Sequence, residues 1–109
     1  MKLGMATALR ALEYPHIVKT PGVRAGKARI DGTRICVIDI ALLAEQGMKP
    51  EEMLTHFSSR PLTLAEVHAA LGYHYDHPEE LEDYLQRSEH AEREIEAAKA
   101  EYLRRRAAQ

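Results

Sequence analysis

The twelve residues Arg24-Ala25-Gly26-Lys27-Ala28-Arg29-Ile30-Asp31-Gly32-Thr33-Arg34-Ile35 leave this chain few ways to fold. Ala28 and Ile30 alternate with Lys27, Arg29 and Asp31, the period of a strand with one buried face. Asp31-Gly32 is a tight-turn pair, because glycine takes positive φ without steric cost. Ile35, Val37 and Ile38 then carry the chain inward. Strand, turn and helix entry are therefore required in immediate succession, with Arg24, Lys27, Arg29 and Arg34 left on the exposed side. Upstream, the β-branched residues of His16-Ile17-Val18-Lys19-Thr20 favour a second strand, and Pro21-Gly22 a turn between the two. Two strands alone are marginal in water, so this ribbon must pack on helices or pair with a second copy.

Three helical patterns follow. The first runs from Val37 to about Gln46: Val37, Ile40, Ala41 and Ala44 form a stripe that Leu42 and Leu43 widen, which predicts a central buried helix. Asp39 lies in its first turn, where the macrodipole favours an anion, and Gly47 is its natural stop. The second is short, from Pro50 to about His56, with Met53, Leu54 and Phe57 turned inward. Lys49 is a poor cap, so its start is expected to fray. After the loop Ser58-Ser59-Arg60-Pro61, Thr63-Leu64-Ala65-Glu66 reads as a capping box opening a third helix that reaches about Tyr75, with Leu64, Val67 and Leu71 inside. Helix, glycine turn, short helix, loop and capped helix match a trihelical helix-turn-helix in length and order.

His77-Pro78-Glu79-Glu80 opens a fourth helix that nothing interrupts before the end of the sequence. Its large apolar residues are only Leu81, Tyr84, Leu85, Ile95, Tyr102 and Leu103. Glu89–Arg93 and Glu101–Arg105 are attractive at i,i+4, and Glu92–Glu96 is repulsive. So thin a stripe predicts a helix partly disordered alone, or ordered against a partner. Met1 to Tyr14 has weak helical character and reads as a loose arm. The expected fold is mainly α: arm and basic ribbon over 1–35, helix-turn-helix core over 36–77, and amphipathic helix over 78–109.

The blocks G-K-A-R-I-D-G-T-R-I-C-V, I-A-L-L-A-E-Q-G-M-K-P-E-E-M-L and L-T-L-A-E-V-H-A-A-L-G-Y resemble the DUF433 family of small bacterial and archaeal proteins, from about His16 to Glu80. Ala28 stands where the family usually has proline. The resemblance implies a homeodomain-like helix-turn-helix and an antitoxin of a VapBC-like pair. Such an antitoxin neutralises a PIN-like nuclease toxin and binds operator DNA at its own promoter as a homodimer.

On that reading DNA meets Arg24, Lys27, Arg29 and Arg34 of the ribbon, whose cations would release counterions from phosphates. The third helix offers little beyond Thr63 and His68, since Ala65 and Ala69 carry no donors and Glu66 repels phosphate unless spent in the cap. Arg60, just before it, is a better phosphate contact. The toxin would meet the last helix: Leu81, Tyr84, Leu85, Ile95, Tyr102 and Leu103 in a groove, with Arg104 and Arg105 reaching a carboxylate-lined metal site. The residues alone leave other readings open. The ribbon can be merely solvated, with Arg34 paired to Asp39. The last helix can be a charged solvated rod or one half of a weak coiled coil. The whole can be a protein-interaction module that never touches DNA.

Charge distribution is more informative than net charge, which is −2: a basic front and an acidic back can neutralise each other in a dimer or face different partners, and sequence alone does not choose. Residues 1–35 hold seven Lys/Arg against two acids, 36–75 two against five, and 76–109 six against ten. The single cysteine, Cys36, excludes an internal disulfide and a cysteine-based zinc site, and reads as an inert buried thiol. His68, His74, Asp76 and His77 invite a metal, and with it a small metal-dependent hydrolase, but a helix end separates them and His77 suits an N-cap. Neither a metal nor another cofactor is expected. No phosphate loop, nucleophile set or convergent acidic cluster is present, so an inhibitor is expected and an enzyme is not. No apolar run nears the ~20 residues that span a bilayer, and no signal-peptide core opens the chain, which suggests a cytoplasmic protein.

Overall fold

The computed structural model describes residues 14–108, so the expected N-terminal arm lies outside the described residues except for Tyr14. The chain divides into two compact units, parting after Pro78.

In the first unit β1 (Ile17–Val18) and β2 (Arg29–Ile30) pair antiparallel, Ile17 opposite Ile30 and Val18 opposite Arg29. The strands are shorter than the apolar runs suggest, because β2 also serves the chain beyond the turn. Arg29 bridges to Cys36, the Ile30 N–H donates to the Ile35 carbonyl at 2.9 Å, and the Val37 N–H donates to the Ala28 carbonyl at 2.9 Å. Both edges of β2 are thereby occupied, one by β1 and one by the segment entering the first helix. This second pairing satisfies backbone groups that would otherwise be buried unpaired, since Ala28, Ile30, Ile35 and Cys36 are all buried.

The turn between them behaves as the Asp31-Gly32 pair predicts. Gly32 has φ 78°, and Thr33 clamps the turn. The Thr33 N–H and hydroxyl both donate to the Ile30 carbonyl, at 3.1 and 2.8 Å, while the hydroxyl oxygen accepts the Ile35 N–H at 3.0 Å. A Cβ at Gly32 would have room, its nearest neighbour being Arg60 Nη2 at 4.0 Å. The penalty of Gly32→Ala is therefore conformational, about 1–2 kcal/mol of folding stability, and urea denaturation of the variant measures it.

Between β1 and β2 the chain does something the sequence does not announce. After Gly22, Arg24–Gly26 form a 3-10 turn in which Arg24, Ala25 and Gly26 all have positive φ, at 49°, 58° and 76°. L-residues avoid this region. Here Gly26 and Lys27 donate to the Val23 and Arg24 carbonyls at 3.0 and 3.2 Å, and the Arg24 guanidinium reaches the Arg34 carbonyl at 2.8 Å.

Helix α1 (Val37–Glu45) buries Val37, Ile40 and Ala41, and Gly47 ends it at φ 93°. Helix α2 is only Pro50–Met53, shorter than the expected run to His56. A lysine side chain has no acceptor to complete a capping box. Glu52 nevertheless accepts the Lys49 N–H at 3.0 Å, which anchors a start expected to fray. The chain then turns off the helix so that Leu62 N–H can meet the Leu54 carbonyl at 2.9 Å, delivering buried Leu62 to the core.

Helix α3 (Leu64–Asp76) carries the capping box as predicted. Its buried face centres on Val67, Ala70, Leu71 and His74, however, and Leu64 is exposed at the first position, beyond the edge of the core. Near the other end of α3 Tyr73 closes the core's edge against Tyr14, ring centroids 5.0 Å apart at 69°, while Tyr75 is exposed and takes no part. Ile30, Ile40, Met53 and Val67 are the fully sealed centre, one from each of β2, α1, α2 and α3. At about 1.5–3 kcal/mol for each such side chain, they bind the four elements together.

Helix α4 starts at Pro78 and runs to Ala108, 31 residues, and from Glu79 on it makes up the second unit. It is one continuous helix, as the unbroken pattern predicts. Its alanines, glutamates and arginines are good helix formers, and its length is well past the ~12–15 residues at which isolated helices become marginal. Arg87–Asp83 and His90–Glu94 pair at 3.0 Å, and Arg104 pairs with Glu101 one turn back. These differ from the pairs read in the sequence, and exposed pairs of this kind add little to stability.

Candidate interaction surfaces

The ribbon cations fall into two groups. Arg24 and Arg29 serve the fold. Arg24, besides its bond to the Arg34 carbonyl, lies 3.6 Å from Asp39 Oδ2. That carboxylate also accepts the Cys36 N–H at 2.8 Å, so Asp39 caps α1 and takes Arg24, not Arg34, as its cation. Arg29 donates to the Thr33 carbonyl at 3.0 Å and the Thr20 hydroxyl at 2.8 Å, and its Nε is buried without a hydrogen-bond partner. It is a strut between the two turns of the ribbon. Arg34 is exposed and Lys27 half-buried, which makes Arg34 the most accessible of the four to a polyanion.

Arg60 is more deeply committed. Its guanidinium meets the Glu66 carboxylate in a two-pronged contact, Nη2–Oε2 2.7 Å and Nη1–Oε1 3.1 Å, and also donates to the Pro61 carbonyl at 2.9 Å. Nη2 comes within 3.5 Å of the Asp31 carbonyl, so the same side chain touches the ribbon turn. Glu66 in turn accepts the Thr63 N–H at 2.9 Å, and the Thr63 hydroxyl oxygen accepts the Glu66 N–H at 3.1 Å. The Arg60 guanidinium, helped by Thr63, holds the Glu66 carboxyl at about 2, although burial pushes the other way. The Thr63–Glu66 cap is legible from spacing alone. The Arg60–Glu66 pair spans a loop, and no periodic signal points to it.

Thr63 and His68 are exposed, so α3 shows a polyanion one hydroxyl already engaged in the cap and one imidazole. Cys36 is buried, and burial raises its thiol pKa despite nearby Arg24 and a helix start. That is the opposite of an activated nucleophile. Among the described residues His68, His74, Asp76 and His77 do not gather as one ligand group.

Helix α4 presents the other surface. Leu81 is buried and Tyr84 half-covered, so these two do not lie on an open face. Leu85, Ile95, Tyr102 and Leu103 are 47 to 65 % exposed, and Arg104 and Arg105 are exposed beside the last two. No helix among the described residues is long and apolar enough to cross a membrane.

A two-strand ribbon locked onto three short helices defines a small, mainly helical domain with a helical extension. Residues 17–74 match the family profile described as protein of unknown function DUF433, and the chain belongs to that family. It is similar to the crystal structure of a DUF433 member from Anabaena variabilis, at 31 % identity and a TM-score of 0.59 over 75 % of this chain and 81 % of that one. No curated protein matches. The matched region runs from β1 to His74 in α3 and stops short of α4.

Proposed function

We propose that this protein is a non-catalytic, antitoxin-like binding protein that captures a small PIN-like nuclease with α4. The observation that carries the reading is the exposed apolar set Ile95, Tyr102 and Leu103 on a helix otherwise clothed in charge. Large apolar groups held in solvent along an amphipathic helix suit docking into a groove. The adjoining Arg104 and Arg105 carry the charge that a carboxylate-lined metal site would accept. Co-expression with the neighbouring small nuclease reading frame is expected to yield a co-purifying complex that suppresses nuclease activity. Tyr102→Asp with Leu103→Asp is expected to abolish capture while leaving the circular dichroism of the chain unchanged. A complex that survives this double change would refute α4 as the capturing element.

A second reading, contact with operator DNA, draws support from the excess of five positive charges in residues 1–35, seven Lys/Arg against two acids. Of the four ribbon cations Arg34 is exposed and Lys27 half-buried, and Thr63 at the cap of α3 and His68 on the helix are exposed as well. A gel shift on DNA upstream of the gene is expected to weaken steeply with salt, and Arg34→Ala to reduce that slope by about one. Equal, weak retention of any duplex, unmoved by Arg34→Ala, would leave a protein-interaction module as the better description.

A further inference from the structure

The residues of α4 fall into a seven-residue repeat that neither the family match nor the capture reading uses. Leu81, Ser88, Ile95 and Tyr102 recur every seventh position, and Tyr84, Ala91, Ala98 and Arg105 follow each by three. These are the a and d positions of a coiled-coil seam. Leu81 is buried and Tyr84 half-covered, so the open seam runs from Ser88 through Ala91, Ile95 and Ala98 to Tyr102. Arg105 ends it, since two cations would meet there. Leu103 and Arg104 lie off the seam.

The flanking charges identify what covers it. In a parallel, in-register pair each g residue faces the e residue five positions on in the other helix. Here those pairs are Arg87 with Glu92, Glu94 with Lys99, and Glu101 with Arg106 of the second copy. All three are attractive, and the two-fold symmetry makes six. Antiparallel pairing at the register of greatest overlap, with Tyr84 against Tyr102, instead sets Glu94 against Glu94 and Glu92 against Glu92, which offsets its two attractive Arg87–Glu101 pairs. Within one chain Arg87, Glu94 and Glu101 pair with Asp83, His90 and Arg104, all exposed, and these pairs cost little to release. We infer that α4 pairs with the α4 of a second copy of this chain as a parallel, in-register coiled coil over Ser88–Arg106. Small Ser88, Ala91 and Ala98 allow close approach, and Ile95 and Tyr102 supply the two large apolar layers. With so little apolar surface the association is weak, and charge sets its direction.

Sedimentation of the purified full chain, with no nuclease present, is expected to show a monomer–dimer equilibrium with Kd on the order of 10–100 µM. Glu94→Lys sets lysine against Lys99 twice and is expected to weaken the dimer about tenfold; adding Lys99→Glu should restore it. Ser88→Cys places two thiols together only in the parallel, in-register pair, so mild oxidation should link it quantitatively, native Cys36 being buried. A monomer at every concentration up to about 1 mM overturns the inference. So does a dimer indifferent to Glu94→Lys, a swap that fails to restore, or a Ser88→Cys dimer whose introduced thiols stay unlinked. Tyr102 belongs to both surfaces, so nuclease capture is read separately through Leu103→Asp alone, off the seam, and co-purification; either idea can then fail without the other.

Discussion

Arg60→Ala is expected to lower Tm by a few degrees, since solvent screens a pair whose Arg60 is far from fully buried. The loss falls on its partner. Glu66 is 8 % exposed, and without the guanidinium it becomes a buried carboxylate whose only support is the α3 cap. Glu66→Gln separates the two contributions, because an amide oxygen still accepts the Thr63 N–H while the charge is gone. The pH dependence has a definite sign. The Glu66 carboxyl is lowered from its usual 4.5 to about 2 in the folded chain. Its contribution is therefore complete above about 4.5 and is lost as pH falls from there toward 2. Thermal melts across that window should slope down steeply for the native chain. For Arg60→Ala the slope should flatten, as the Glu66 carboxyl returns toward its ordinary range. Equal slopes would mean that the pair is ornamental.

Ile30→Ala is expected to cost about 3–4 kcal/mol, a large share of a stability that for such domains is ~5–15 kcal/mol. Ile30 is wholly buried and stands where both β2 pairings meet, so neither the ribbon nor α1 can collapse into the space without surrendering hydrogen bonds. The matched control is Ile95→Ala, the same deletion on exposed α4. Measured at a few µM, below any self-association, it should leave the midpoint within about 0.5 kcal/mol. Chemical denaturation of the two variants side by side tests both statements.

What was legible in the sequence, and what was not, divides by the range of the interaction. The Asp31-Gly32 turn, the Thr63 capping box, the Gly47 stop and the apolar stripe of α1 are written within a few residues, and each is found where local chemistry puts it. The mainly helical fold with its ribbon follows from these. The early end of α2, the exposure of Leu64 and the choice of Arg24 over Arg34 as the partner of Asp39 depend on distant chain segments. So does the pairing of both edges of β2. The three left-handed residues at Arg24–Gly26 were illegible for another reason: Arg and Ala disfavour that conformation, and only the hydrogen bonds around it impose it. Of the candidate contact residues, Arg34, Thr63 and His68 are exposed. Arg24, Arg29 and Arg60 are charges spent on architecture, which composition does not distinguish from charges held for a ligand.

Cys36 carries a practical consequence. Its sulfur is sealed where β2 meets the start of α1, so a thiol reagent can reach it only while the ribbon is lifted away. The labelling rate of the unaltered protein is thus a clock for that local opening, readable without introducing any probe. Variants that loosen the ribbon should quicken it long before global melting, and a ligand that clasps the ribbon should slow it.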